Sequence, residues 1–165
     1  EKNPRRLERA FAAASRGLDA HLVLVGEGVE RDAIKADAEH LGIAARVHMP
    51  GFVAHPHSYM AWFDVYAIPS NTEQFPISQV EAMAARLPVV ATDVGDVRAI
   101  LPDESRHLVT PAGDDEALVA NLRALLTDSA MRARLGAANR AHVEAHYQLD
   151  SVLGAYDSVY SDAMG

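Results

Sequence analysis

Apolar residues along the chain alternate between two spacings, one typical of buried strands and one typical of amphipathic helices. Short continuous apolar runs suit strands that are covered on both faces of a parallel sheet. They predict strands at residues 21–25, 46–49, 64–68, 88–91 and 107–109. Between these runs, apolar residues recur every three or four positions, which predicts helices. The predicted helices lie at residues 30–41, 77–86 and 96–101, with a helical turn or two at 56–62.

Capping residues add detail to this pattern. Asn3-Pro4 is typical of a helix start, and this first helix should end near Gly17. Gly42 should close the second helix. Asp114 and Asp115 should cap a helix rich in leucine, which a second helix over residues 130–146 follows. A last helix is predicted from an apolar stripe formed by Leu149, Val152, Leu153, Tyr156, Val159 and Tyr160.

Strands that alternate with helices predict one α/β domain over residues 1–165, with a Rossmann-like, doubly wound parallel sheet and C-terminal helices. The formal net charge of −8, without a basic tract, argues against nucleic-acid binding. The chain has no cysteine, which excludes disulfides and thiol catalysis and is compatible with the cytoplasm, the expected location. No apolar run is long enough to span a membrane. The chain starts without Met, which suggests a piece of a longer protein.

Two glutamates flank the start of the helix predicted at residues 77–86. In an open α/β sheet, ligands bind at the carboxyl ends of the strands, and Glu73 lies in such a loop. Glu81 lies about one turn into the helix, whose first N–H groups suit a phosphate. Two carboxylates placed there could bind sugar diols on either side of that phosphate. From spacing alone, however, exposed and solvated glutamates are the simpler interpretation.

The residues around the two glutamates carry more information. The family pattern is a strand ending in Pro-Ser, a Glu, seven residues, a second Glu followed by Ala-Met-Ala, and then Pro-Val-Val. This chain has Pro69-Ser70, Glu73, Glu81-Ala82-Met83-Ala84 and Pro88-Val89-Val90. It thereby resembles the group 1 glycosyltransferases, the family-four class of retaining enzymes with a GT-B fold. The likeness continues through residues 23–28 and 109–114 and covers essentially the whole chain.

The resemblance implies that the chain is the C-terminal, donor-binding half of a GT-B enzyme. It implies that Glu73 contacts the donor sugar and that Glu81 binds the nucleotide ribose. The other donor-site residues that it implies are Lys2 on the diphosphate, Gly26 and Gly28 beside the nucleotide, Phe52 and Val53 along the base, and the N–H groups of Phe75 and Ile77. For Lys2, a terminal lysine without a role is an almost equal alternative. No cofactor is expected besides the nucleoside diphosphate-sugar, which is the donor substrate.

Several positions depart from the family pattern. Glycine is common in the family where this chain has Gln74 and Pro76, and Pro76 has no N–H to donate. Asp96 replaces a second common glycine, and the simplest interpretation is that it caps the helix that follows. His55 and His57 lack an obvious third ligand, so we expect a surface loop there and no metal site.

These features predict transfer of a hexose-type sugar from a nucleoside diphosphate donor with retention of configuration. The acceptor site is expected in a separate N-terminal domain, so the isolated chain should bind donor weakly and catalyse little. Membrane association, if any, would come through that other domain. Two alternatives stay open: a sugar-nucleotide epimerase of GT-B fold, and a catalytically silent module that binds nucleotides or a partner.

Overall fold

The computed structural model describes residues 1–148, 153–154, 159–161 and 164. Six α-helices lie within residues 1–148, and residues 153–154, 159–161 and 164 are also helical. The six helices are α1 (Pro4–Ala14), α2 (Arg31–His40), α3 (Ile77–Ala84), α4 (Val97–Ile100), α5 (Asp115–Thr127) and α6 (Ser129–His146). Five strands alternate with them: β1 (Leu22–Val25), β2 (Val47–Gly51), β3 (Tyr66–Ile68), β4 (Val89–Thr92) and β5 (Val109–Thr110). Short 3-10 segments cover Ala44–Arg46, Pro56–Trp62 and Asp103–Leu108. The alternation confirms the predicted α/β fold.

All strand pairs are parallel, as predicted, but the described strands form two hydrogen-bonded groups. β1 pairs with β2, and β4 lies between β3 and β5. The prediction that the first strand is covered on both faces was wrong for most of its length. Residues 23–25 are half-buried because a cleft runs between β1 and β3. By contrast, all four residues of β4 are buried.

Two apolar clusters hold the helices on the strands. One joins α1, α2 and α5 through residues such as Phe11, Ala38 and Leu122. The other joins the strands β3, β4 and β5 to α3, α4 and α6, and Met83 and Val143 belong to it. Helices therefore cover the strands with two separate cores, which agrees with a doubly wound fold.

The predicted helix caps can be checked one by one. The Asn3 side chain accepts the N–H of Arg6 at 3.1 Å, and Asp114 accepts that of Ala117 at 2.9 Å, so both caps are confirmed. Gly42 follows α2 with a φ of 69°, the left-handed geometry of a helix end. Of the stripe predicted for the last helix, Leu149, Val152 and Tyr156 lie outside the described residues, whereas Leu153, Val159 and Tyr160 are helical, as predicted, and exposed.

Candidate donor-binding site

A cleft of about 1110 Å³ opens between β1 and β3 and continues to the carboxyl ends of both strands. Its volume lies slightly above the roughly 300–1,000 Å³ that is typical of small-molecule sites. The polar and charged side chains along it include those of Lys2, Glu27, Arg31, Ser70, Glu73, Ser78, Glu81 and Arg132. Glu73 and Glu81 therefore border one cavity, although eight positions separate them.

Lys2 and Glu73 are in direct contact within this cleft. The Lys2 ammonium donates to both carboxylate oxygens of Glu73, at 2.8 Å to Oε1 and 2.7 Å to Oε2. The residues on either side of Lys2 are bonded to the same loop, because the N–H of Asn71 donates to the Glu1 carbonyl and the Asn3 side-chain amide donates to Oδ1 of Asn71. The structure thus holds Lys2 at the cleft. Its side chain remains 72% exposed, whereas that of Glu73 is only 7% exposed.

Ser70 contacts Glu73 from the protein interior. Its hydroxyl donates to Oε1 of Glu73 at 2.7 Å, and Ser70 itself is 1% exposed. The backbone of Ser70 is fixed in turn, because the hydroxyl of buried Thr92 donates to its carbonyl at 2.5 Å. Thr92 is the last residue of β4. The sheet therefore determines where the Glu73 carboxylate lies.

The loop after β4 supports the Glu73 loop from the other side. Gly95 has a φ of +52°, and a Cβ atom there would lie 2.2 Å from the Glu73 carbonyl. The N–H of Asp96 donates to the Gln74 carbonyl at 2.8 Å. The interpretation of Asp96 as a helix cap was wrong in its chemistry: Asp96 precedes α4, but its side chain forms no cap hydrogen bond. Its backbone N–H instead donates a hydrogen bond to the loop that contains Glu73.

Glu81 lies on α3 near a buried phenol. Burial raises the pKa of the Tyr66 hydroxyl, a hydrogen bond with Ser78 opposes this shift, and the negative charges of Glu73 and Glu81 raise the pKa further. Both carboxylates therefore lie close enough to act on the same hydroxyl group. Tyr66, Ser78 and both glutamates all line the cleft.

Sequence comparison agrees with this geometry. The family model described as "Glycosyl transferases group 1" matches residues 1–142. The chain belongs to this family.

Relatives of this group 1 chain are glycosyltransferases of varied substrates. It is 41% identical over 126 residues to the phosphatidyl-myo-inositol mannosyltransferase of Mycobacterium leprae, which covers 73% of the chain and 32% of that protein. It is 30% identical over 134 residues to the lipopolysaccharide core biosynthesis mannosyltransferase LpcC of Rhizobium leguminosarum, covering 81% of the chain and 38% of that protein. The chain thus spans well under half the length of these relatives.

Solved structures show the same fold. The crystal structure of the C-terminal domain of a group 1 glycosyl transferase, LpcC from Francisella tularensis, superposes with a TM-score of 0.81 at 22% identity. The superposition covers 90% of this chain and 80% of that domain. The group 1 chain therefore has the fold of the C-terminal half of a GT-B glycosyltransferase.

Among the other residues that the sequence suggested for this site, the two glycines lie at the cleft. Gly26 and Gly28 line it, and the N–H of Gly26 donates to the Gly51 carbonyl at the end of β2. Gly26 has a φ of +122°, a conformation that favours glycine. This turn is therefore fixed to the end of β2 where it borders the cleft.

Four suggested residues lie outside the lining of the cleft: Phe52, Val53, Phe75 and Ile77. Phe52 and Ile77 are 78% and 69% exposed, so they present apolar surface at the same end of the sheet. The ring of Phe75 instead lies against that of Tyr147, with 5.9 Å between centroids. The structure therefore brings Lys2, the two glycines and the two glutamates together, and it leaves these four at the periphery.

The histidine pair was expected to lie in a surface loop. His55 and His57 are both exposed, with ring centroids 5.8 Å apart. Within the described residues, no group of three or more His, Asp or Glu side chains is placed to hold a metal ion. In the same part of the chain, no helix is long and apolar enough to cross a membrane.

Ser70 and Arg31 are among the cleft side chains that sequence analysis missed. Ser70 was part of the recognised motif, but nothing in the spacing indicated that its hydroxyl binds Glu73. Arg31 lines the cleft from the first turn of α2, where it donates to the Met49 carbonyl at 3.0 Å and lies 3.7 Å from Glu27. Its position three residues after Gly28 was the available signal, because a cation there lies close in sequence to the glycine turn at the cleft.

Proposed function

We propose that this chain binds a nucleoside diphosphate-sugar in the cleft and serves as the donor domain of a retaining glycosyltransferase. The observation that carries the proposal is the juxtaposition of Lys2, Glu73 and Glu81 around one cavity at the start of α3. Membership of the group 1 family and the mannosyltransferase relatives support it. The sugar would be a hexose. The acceptor would bind to an N-terminal domain of the same enzyme.

In this proposal the diphosphate replaces Glu73 as the partner of Lys2. The donor brings negative charge to a chain whose own net charge is −8, so the cleft must supply local positive potential. Lys2 supplies one charge, and the first turn of α3 supplies N–H groups that have no acceptor within the helix. Because the Lys2 side chain is largely exposed, it has room to turn from the carboxylate to a phosphate, whose charge would replace that of Glu73 as its partner.

The two carboxylates would then take separate roles. Glu81 would accept hydrogen bonds from the ribose hydroxyls. Glu73, released from Lys2, would accept hydrogen bonds from the sugar and orient its anomeric carbon. The diphosphate leaving group needs little help from an acid, so the rate would come from orientation and from neutralisation of the developing charge. No metal ligand or further cofactor is invoked.

A binding experiment tests the ribose role. Titration calorimetry of the chain with uridine, guanosine and adenosine diphosphates should identify the preferred nucleotide. Glu81→Ala should then weaken its binding by roughly 10- to 150-fold, because a charge-assisted hydrogen bond contributes roughly 1.5–3 kcal/mol. Glu116→Ala is the control, since Glu116 is an exposed glutamate in the first turn of α5 and does not line the cleft. Equal affinity of wild type and Glu81→Ala would refute the ribose role.

An activity experiment tests the sugar role. In the complete enzyme, Glu73→Ala should reduce sugar transfer far more than it reduces nucleoside diphosphate binding. Product analysis by NMR should show that the anomeric configuration of the donor is retained. Full transfer by the Glu73→Ala enzyme, or an inverted product, would contradict the proposal. If no nucleoside diphosphate binds the wild-type chain at all, the donor-domain proposal fails as a whole.

A further inference from the structure

Ser70 offers a contact to which neither the family pattern nor the proposed mechanism assigns a task. It follows β3 and is 1% exposed, and its hydroxyl lies 2.7 Å from Oε1 of Glu73. A serine hydroxyl has a single proton to donate, and here that proton is directed to the carboxylate. A hydrogen bond to a charged group is stronger than one between neutral groups. The contact is therefore suited to hold Glu73 in one orientation.

The position of Ser70 is itself determined by the central strand. Thr92 is 2% exposed and closes β4, and its hydroxyl lies 2.5 Å from the Ser70 carbonyl and 3.3 Å from that of Ile68. β4 is buried along its whole length, so this support cannot move without disturbing the core. A chain of two hydrogen bonds thus runs from the sheet to the Glu73 carboxylate.

The two partners of Glu73 differ in how easily they can leave. Lys2 contacts both carboxylate oxygens from a side chain that is 72% exposed, whereas Ser70 contacts Oε1 alone from the interior. Departure of Lys2 would open Oε2 towards the cleft. Ser70 would remain on Oε1, since it is only 1% exposed and its carbonyl is held by Thr92. The carboxylate would then keep its direction while one oxygen becomes available to the donor.

We infer that Ser70 is a positioning residue for sugar transfer, which holds the Glu73 carboxylate in place, supported by Thr92, when Lys2 moves to the donor diphosphate. The inference rests on the proposed role of Glu73. It adds that the orientation of this carboxylate, and not only its presence, depends on a buried hydroxyl. Loss of that hydroxyl should affect the transfer step more than donor binding, because nucleotide contacts lie elsewhere in the cleft.

The kinetic test compares two buried serines in the complete enzyme. Ser70→Ala should lower kcat by roughly tenfold or more, with less than about a twofold change in the KM for donor. Ser105→Ala is the matched control, since Ser105 is also buried and donates at 2.7 Å to a side-chain oxygen, that of Asn139. It should leave kcat unchanged. Ser70→Thr, which retains a hydroxyl, should recover most of the rate. An unchanged kcat in Ser70→Ala, or an equal loss in Ser105→Ala, would overturn the inference.

A spectroscopic test needs no catalysis. In the chain labelled with ¹³C at the glutamate carboxyl carbons, the Glu73 signal can be assigned by its loss in Glu73→Gln. Ser70→Ala should shift this signal both in the free chain and with the preferred nucleoside diphosphate bound, and Ser105→Ala should not. If Ser70→Ala leaves the Glu73 chemical shift unchanged, the contact does not position Glu73. If no nucleotide binds but the signal shifts, the positioning contact stands and the proposed function fails.

Discussion

Replacement of Gly95 by alanine tests whether the loop after β4 determines the shape of the Glu73 loop. Gly95 has a φ of +52°, and an added Cβ would meet the carbonyl oxygens of Glu73 and Gln74 at 2.2 and 2.8 Å. The shorter contact is more than 1 Å below the roughly 3.5 Å at which such atoms attract. The two loops must therefore separate, and separation would break the bond from the Asp96 N–H to the Gln74 carbonyl.

The expected cost has two parts that can be separated. The left-handed conformation costs an alanine roughly 1–2 kcal/mol, offset in part by the smaller entropy of its unfolded chain. The steric overlap adds about 1–3 kcal/mol. Gly17 isolates the first part, because its φ is +75° and a Cβ there would meet nothing within 4 Å. Gly95→Ala should therefore lose about 1–3 kcal/mol more of the free energy of unfolding than Gly17→Ala.

Urea unfolding of both variants, followed by circular dichroism, measures this difference. Calorimetry with the preferred nucleoside diphosphate then reports on the site, where only Gly95→Ala should bind more weakly. Equal stability losses in the two variants would show that the loops separate without cost. In that case the Gly95 contact would not determine the geometry of the Glu73 loop.

Three further changes test other parts of the structure. Burial raises the pKa of the Glu8 carboxyl from 4.5 to about 7, and neither of its oxygens has a hydrogen-bond partner among the described residues. The folded state thus holds this proton more tightly, so wild-type stability should fall relative to Glu8→Gln as the pH rises from about 4.5 to 7. Asn139→Ala should cost about 1–3 kcal/mol in urea unfolding, because it leaves the buried Leu87 carbonyl without its donor at 2.8 Å. Lys2→Met should lower the free energy of unfolding by about 1–3 kcal/mol, because it removes the cation from the Glu73 carboxylate, whose side chain is only 7% exposed. It should also weaken nucleoside diphosphate binding about tenfold in calorimetry.

Each of these three changes has a clear contradicting result. A constant stability difference between wild type and Glu8→Gln across this pH range would show that Glu8 titrates normally. Asn139→Ala with wild-type stability would mean that water replaces the lost donor. Unchanged nucleotide affinity in Lys2→Met would leave the Lys2–Glu73 pair as a structural contact only.

The alternation of strands and helices could be predicted from local patterns because each element carries its own signal. The run of apolar residues before Pro69 and the Asn3-Pro4 start both depend on neighbours in sequence, and both appear where predicted. The half-buried state of β1 could not be predicted in this way. It depends on where β3 lies relative to β1, a distance that no local pattern encodes.

The candidate site was predictable only as a set of residues. The motif identified Glu73 and Glu81, but the bond from Lys2 to Glu73 joins residues 71 positions apart. Such a contact forms only once α1 and β3 have packed, so it cannot be predicted from hydrophobic periodicity. The bond from Ser70 to Glu73 is local, yet it depends on the backbone direction that Thr92 imposes from β4.

The positions where the chain departs from its family differ in what the fold demands of them. Gln74 contributes its carbonyl and Asp96 its N–H to the bond between the two loops, and any residue except proline at position 96 could supply these atoms. The side chains at positions 74 and 96 are exposed and take no part in this backbone hydrogen bond. Gly95 is different, because its missing Cβ is what permits the close approach. Variation at 74 and 96 can thus alter the surroundings of the proposed donor-sugar site while the backbone that holds Glu73 stays the same.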